Sequence, residues 1–112
     1  MSDPRLRTLK IKTGVVKRLA KEKITYEKEA VLQRERVQKY KDLDSHDIRK
    51  QEEVLQESLM MVPDCQRRLV KAYDDLKKIL ESEQDLKETE SYVEAEKILS
   101  EAESQLPKEG DV

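Results

Sequence analysis

The apolar residues of this chain fall in rows with helical spacing. Positions 6, 9, 13, 16, 20, 23, 27 and 30 advance by alternating steps of three and four and read Leu6, Leu9, Thr13, Val16, Ala20, Lys23, Glu27 and Ala30, with Leu19, Tyr26 and Val37 on the flanks. That alternation is the heptad pattern of a helix that buries one stripe against a neighbour. It is strong at its start and thins after Lys23. Asp3 and Pro4 supply the opening: an aspartate able to accept from the first free amides, then a proline where a missing N–H costs nothing. The spacing predicts a helix over about 4–41, on the order of 55 Å long at about 1.5 Å per residue.

A polar stretch, Lys41 to Asp47, follows, and Asp44 or Ser45 is expected to cap a second helix over about 45–85. Its row is Ile48, Gln51, Leu55, Ser58, Val62, Cys65, Leu69, Ala72, Leu76 and Ile79, widened by Leu59, Tyr73 and Leu80. Pro63 removes one backbone hydrogen bond and crowds the preceding turn. Neither Met61 nor Val62 is a capping residue, however, and the row stays in phase, so a kink rather than a break is expected. From Glu81 to Glu90 the pattern dissolves into charge around Leu86. Ser91 stands three residues before Glu94, the spacing of a capping box. Tyr92, Ala95, Leu99, Ala102 and Leu106, with Ile98 alongside, then predict a third helix over about 91–106. The stretch 107–112 is too polar to fold alone and is expected as a disordered tail. The short linker between the first two helices implies an antiparallel hairpin. The fold class is therefore all-α: an elongated three-helix bundle over 1–106 with coiled-coil-like packing, its second helix kinked at Pro63.

Composition narrows this picture. Hydrophobic residues make up 36% and charged residues 43%, with no Trp or Phe and four Tyr. A thin apolar seam under a polar surface fits these numbers better than a compact globule. Disorder is the competing class for so charged a chain, and the regular rows speak against it. Residues 1–41 hold 13 basic and 5 acidic side chains, the remainder 10 and 20. A basic segment followed by an acidic one predicts that the two pack side by side. Arg5, Arg7, Lys10, Lys12, Lys17, Arg18, Lys21 and Lys23 read as spread around the first helix without an aromatic stacking platform, so nucleic acid is not an expected partner. The longest apolar run, Leu59 to Val62, is far short of the roughly 20 residues of a membrane span, and no signal-peptide core is present. A membrane surface is not expected either. One cysteine, Cys65, cannot form an internal disulfide, which suits an intracellular protein.

Candidate chemistry is sparse. Two glycines, Gly14 and Gly110, cannot make a phosphate-cradling loop. One cysteine and one histidine cannot complete a zinc site, and no EF-hand pattern occurs. Cys65 and His46 would lie roughly 28 Å apart along one helix, beyond reach of a nucleophile–base pair. Asp74 and Asp75 diverge on a helix surface. No catalysis and no cofactor are expected. A few apolar residues depart from the rows. Ile11 and Val15 lie away from the Leu9–Val16 stripe with Gly14 between them, and Met60 points away from Val62. Glycine costs about 1 kcal/mol relative to alanine inside a helix and is tolerable where another backbone must come close. Ile11, Gly14, Val15 and Met60 are thus candidate partner-binding residues. The other role open to Ile11 and Val15 is contact with the third helix.

Several runs are distinctive. Lys10-Ile11-Lys12-Thr13-Gly14-Val15-Val16-Lys17-Arg18-Leu19, Tyr26-Glu27-Lys28-Glu29-Ala30, Leu55-Gln56-Glu57-Ser58 and Met60-Met61-Val62-Pro63-Asp64-Cys65-Gln66-Arg67-Arg68-Leu69, followed by Ala72-Tyr73, resemble the tubulin-binding cofactor A family. The likeness extends from residue 3 to about 104; the turn at 42–47 looks shorter than usual and lacks glycine, and the end after Leu106 is individual. The resemblance implies a three-helix cytoplasmic, cytoskeleton-associated protein. It would capture β-tubulin folding intermediates after the chaperonin and pass them toward assembly with α-tubulin, with other tubulin-folding cofactors as further partners and no nucleotide of its own. It carries over no catalytic or ligand residue and leaves monomer and homodimer both open. The reading that competes with it is a generic coiled-coil adaptor or self-associating scaffold.

Overall fold

The computed structural model describes residues 3–107. Asp3 opens the first helix as its position predicts: its carboxylate accepts from the Arg5 amide at 2.9 Å, and Pro4 is the first helical residue. Helix α1 runs Pro4–Asp42, α2 runs Ile48–Ser82 and α3 runs Glu90–Ala102; single 3-10 turns, Gln84–Leu86 and Glu103–Gln105, follow α2 and α3. No strand occurs among the described residues. Lys39 and Lys41 occupy the last turn of α1, where positive charge suits the helix dipole. Helix α2 passes through Pro63 without a break. The expected tail lies, from residue 108 on, outside the described residues.

Two helix starts differ from the sequence reading. The Ser45 hydroxyl accepts from the Asp47 amide at 3.2 Å, one turn ahead of the helix, and α2 opens at Ile48 instead of 45. Asp44 sits at φ 49°, the left-handed conformation that closes a tight turn and that Asp tolerates better than most residues. It closes the C-terminus of α1, with the Ser45 and Asp44 amides donating to the Tyr40 and Lys41 carbonyls, each at 3.1 Å, and does not cap α2. Helix α3 begins at Glu90, capped by Thr89, whose hydroxyl accepts from the Tyr92 amide at 3.3 Å and donates to the Leu86 carbonyl at 2.7 Å. The 3-10 turn buries Leu86 and delivers Thr89 in extended backbone, as an N-cap requires. Ser91 is already inside the helix, so its spacing to Glu94 makes no capping box.

The core follows the apolar rows where three helices meet. Leu9, Val16 and Leu19 of α1, Cys65, Leu69, Leu76 and Leu80 of α2, and Tyr92, Ala95, Ile98, Leu99 and Ala102 of α3 form one buried cluster with Leu86. Toward the Leu43–Asp47 turn only α1 and α2 remain, and no α2 residue before Cys65 is fully buried. There the seam becomes polar: buried Gln33 donates to the Gln51 side chain and carbonyl, each at 2.9 Å, and accepts from Arg36. Lys23, on the heptad stripe, reaches past it to donate to the Gln105 carbonyl at 2.7 Å. Its ammonium also pairs with Glu27 at 3.3 Å. No buried side-chain polar atom among the described residues is left unpartnered. The radius of gyration is 19.0 Å, against about 13 Å for a compact domain of this length. The molecule measures 64 × 33 × 16 Å, so it is a rod.

The basic and acidic segments do lie side by side, yet direct bridges join them at the two ends of α1: Arg5 to Glu83 and Asp85, and Lys41 to Glu52. Arg5 is the hub of the first, also pairing with Asp3 at 2.6 Å. Its hydrogen bonds hold the Asp3 and Asp85 carboxyls below the usual aspartate range. A carboxyl with a depressed pKa adds stability above its unfolded value, 3.8, and that stability is lost as pH falls through the folded value. Urea midpoints measured from pH 5 down to pH 2.5 should therefore fall more steeply for the wild-type chain than for Arg5→Gln. Parallel curves would show that the hub adds no pH-dependent stability.

Candidate partner-binding surface

The outer side of α1 is ordered by helical geometry. At about 100° per residue, Arg7, Lys10, Lys17 and Lys21 fall within an arc of roughly 80°. Arg18 lies just outside that arc, in the α1–α2 groove, and Arg5, Lys12 and Lys23 point to the other side, so four of the eight basic residues gather on one face and four do not. Lys10, Thr13, Gly14 and Lys17 line a groove whose far wall is Glu90, Ser91 and Glu94 of α3. The next groove along has Lys17, Ala20, Lys21 and Ile24 facing Ile98, Glu101, Ala102 and Gln105. Beyond it α3 has ended, and Ile24, Glu27, Lys28, Val31 and Leu32 line a third groove on α1 alone. All three lie on the same side of the rod.

Exposed apolar residues concentrate where the third helix is missing. Among the described residues, Ile24, Val31, Leu32, Leu43, Val54 and Met60 lie in the hairpin half near the turn, whereas only Ile11 and Val93 are exposed large aliphatics elsewhere. The physical cause is length: α3, with 13 residues, covers about 20 Å of an α1 that is 39 residues and roughly 58 Å long.

The four residues singled out from sequence do not form one patch. Ile11 is 56% exposed and Met60 70% exposed. Val15 is half-buried, packs against the core and lines the α1–α2 groove with Leu19 and Ala72. Among the described residues, nothing beyond its own helix comes within 4 Å of where a Cβ would stand at Gly14. Cys65 stands opposite Leu19, its thiol 3.4 Å from that carbonyl, which places Met60 at the level of Ile24. Met60 is thus about 20 Å along the rod from Ile11. Because Gly14 has open space around it, Gly14→Ala should raise stability by about 0.5–1 kcal/mol through helix propensity. A thermal midpoint unchanged or lowered would show that the site is strained in some other way. The residues that the sequence reading passed over are Ile24, Val31 and Leu32. Their signal was present: stripe positions 23 and 27 are Lys and Glu, while aliphatics stand beside them at 24 and 31.

Cys65 is buried, and burial pushes its thiol up from the usual range. A protonated thiol packed on a carbonyl behaves as a small apolar group. Among the described residues no three His, Cys, Asp or Glu side chains gather as metal ligands. No described helix is long and apolar enough to cross a membrane.

A slender rod of three helices, with a satisfied interior and apolar side chains on its outside, belongs to the class of helical proteins that offer a surface to a partner. The family model for tubulin binding cofactor A matches residues 4–99. The human tubulin-specific chaperone A is 60% identical over 101 residues, covering 88% of this chain and 94% of that protein. The tubulin-folding cofactor A of Arabidopsis thaliana is 43% identical over 108 residues, covering 93% and 96%. The solved human tubulin chaperone cofactor A superposes with a TM-score of 0.78 at 56% identity, covering 89% of this chain and 99% of that one. The chain belongs to the tubulin binding cofactor A family.

Proposed function

We propose that this chain is a non-catalytic holder of β-tubulin: it captures folding intermediates released by the chaperonin and passes them toward assembly with α-tubulin, in the cytoplasm alongside other tubulin-folding cofactors. Membership in a family whose members are named tubulin-specific chaperones carries the reading. The architecture supports it, since a rod more than 60 Å long can present a large contact area without closing around its cargo. A holder that binds the incomplete subunit and not the assembled dimer shifts populations by mass action alone, with no need for nucleotide. Exposed Ile11 and Met60, with Gly14 and Val15 beside the first, are proposed contact residues.

A pull-down with the purified chain tests this directly. Newly folded β-tubulin should be retained and α-tubulin washed away. Equal retention of both, or of neither, would overturn the proposal. A chain that retained neither and sedimented as a large self-associated species would instead be a scaffold.

A further inference from the structure

The side of α1 that carries α3 continues past the end of α3 with the same chemistry and no occupant among the described residues. Helix α3 is itself an acidic amphipathic helix: its aliphatic row faces inward, and it carries Glu90, Glu94, Glu96 and Glu101 against Lys97. Lys10, Lys17 and Lys21 of α1 each share a groove with one or more of those glutamates. Lys28 is the next lysine in that row, and no α3 residue lines its groove. Around it Ile24, Val31 and Leu32 are 37%, 56% and 59% exposed, the last two in excess of what a helix facing only water needs. Ile24 belongs to both grooves, to the last one that α3 fills and to the first one that it leaves open.

We infer that the α1 face formed by Ile24, Lys28, Val31 and Leu32 receives an acidic amphipathic helix of the protein partner, laid end to end with α3 along the same side of the hairpin. The inference rests on the tubulin-holding reading and adds the chemistry of the contact. From Ile24 to the end of α1 at Asp42 there is room for a helix of about 27 Å, or roughly five turns. Aliphatic side chains of the incoming helix would cover Ile24, Val31 and Leu32, as the aliphatic face of α3 covers the core further back; its carboxylates would meet Lys28 and Lys21. Neither lysine has an ion-pair partner among the described residues. Glu27, which lines the groove with Lys28, is engaged by Lys23. A nucleic acid would satisfy the lysines and leave three aliphatic side chains in water, which is why a protein helix is the better occupant.

The experiment measures β-tubulin affinity for the full wild-type chain, for Val31→Ser/Leu32→Ser and for Lys28→Glu, with Val93→Ser on α3 as a contrast. All four substituted positions are exposed, so circular dichroism and melting should remain near wild type. The apolar pair and the charge reversal should each weaken binding by roughly tenfold, as loss of a central contact does. Wild-type affinity should also fall with added salt. Unchanged binding by both variants, with the wild type still binding, would overturn this inference alone. A wild-type chain that does not bind β-tubulin would overturn the holding function itself, and the inference with it. Loss in the apolar pair with no effect of Lys28→Glu would refute the acidic character of the occupant. Bulk transfer RNA bound by the wild type and lost by Lys28→Glu would refute the choice of a protein.

Discussion

Leu69→Asp should leave the chain unfolded at 25 °C. Leu69 is completely inaccessible to solvent and sits in the cluster where all three helices meet. The substitution removes a buried leucine side chain, worth about 2–5 kcal/mol when truncated. It also places a carboxylate where no cation or donor is provided, which either strands a charge or forces protonation, at a further cost of several kcal/mol. Domains of this size have a total stability of only about 5–15 kcal/mol, and a rod with so thin a seam has no second core to fall back on. The measurement is far-UV circular dichroism: the helical signal should be lost. Leu69→Met, which conserves volume and polarity, should cost less than about 1.5 kcal/mol and serves as control. A folded Leu69→Asp chain melting within a few degrees of wild type would show that the seam is far more plastic than its burial indicates.

Tyr92→Ala should release α3 before anything else yields. Tyr92 is 3% exposed. Its hydroxyl donates to the Leu80 carbonyl at 2.9 Å near the end of α2 and accepts from Gln84 at 3.1 Å. One side chain thus joins the closing turn of α2, the 3-10 connection and the first turn of α3. Truncating a buried aromatic costs about 3–5 kcal/mol, which for a chain of this length lowers the melting midpoint by roughly 10–20 °C. Tyr92→Phe keeps the ring and loses the hydroxyl contacts, for about 1 kcal/mol. A helix of 13 residues is marginal by itself in water, so hydrogen exchange in Tyr92→Ala should accelerate across α3 while the amides of α1 from Ala30 to Val37 stay protected. Exchange that speeds up equally in every helix would show that α3 and the hairpin open as one unit.

Much of this architecture is legible from residue spacing. The Leu9–Val16 and Cys65–Leu76 rows, the Asp3-Pro4 start and the passage of α2 through Pro63 all rest on local rules: a periodicity, a capping preference, one missing amide. The helix starts that read differently, at Ile48 and Glu90, depend on where the chain must turn. Burying Leu86 sets the backbone that makes Thr89 the cap, and the left-handed Asp44, spent on closing α1, moves the start of α2 on to Ile48. The candidate surface was half visible. Ile11 and Met60 stand off their rows and are exposed. Ile24, Val31 and Leu32 were hidden because their significance depends on how far α3 reaches, and no pattern within α1 states that.

Sequence periodicity by itself determined that this chain makes three amphipathic helices, because each apolar row is a property of one helix and needs no partner to be read. The packed structure decided which end of the hairpin α3 covers, which lysines face its glutamates, and which aliphatic side chains remain in water. Those are relations between helices, and they follow from the connection at Glu83–Thr89 folding α3 back along α1 for only part of the length of α1. What the described residues leave uncovered is the part of α1 where a partner can take the place of a third helix.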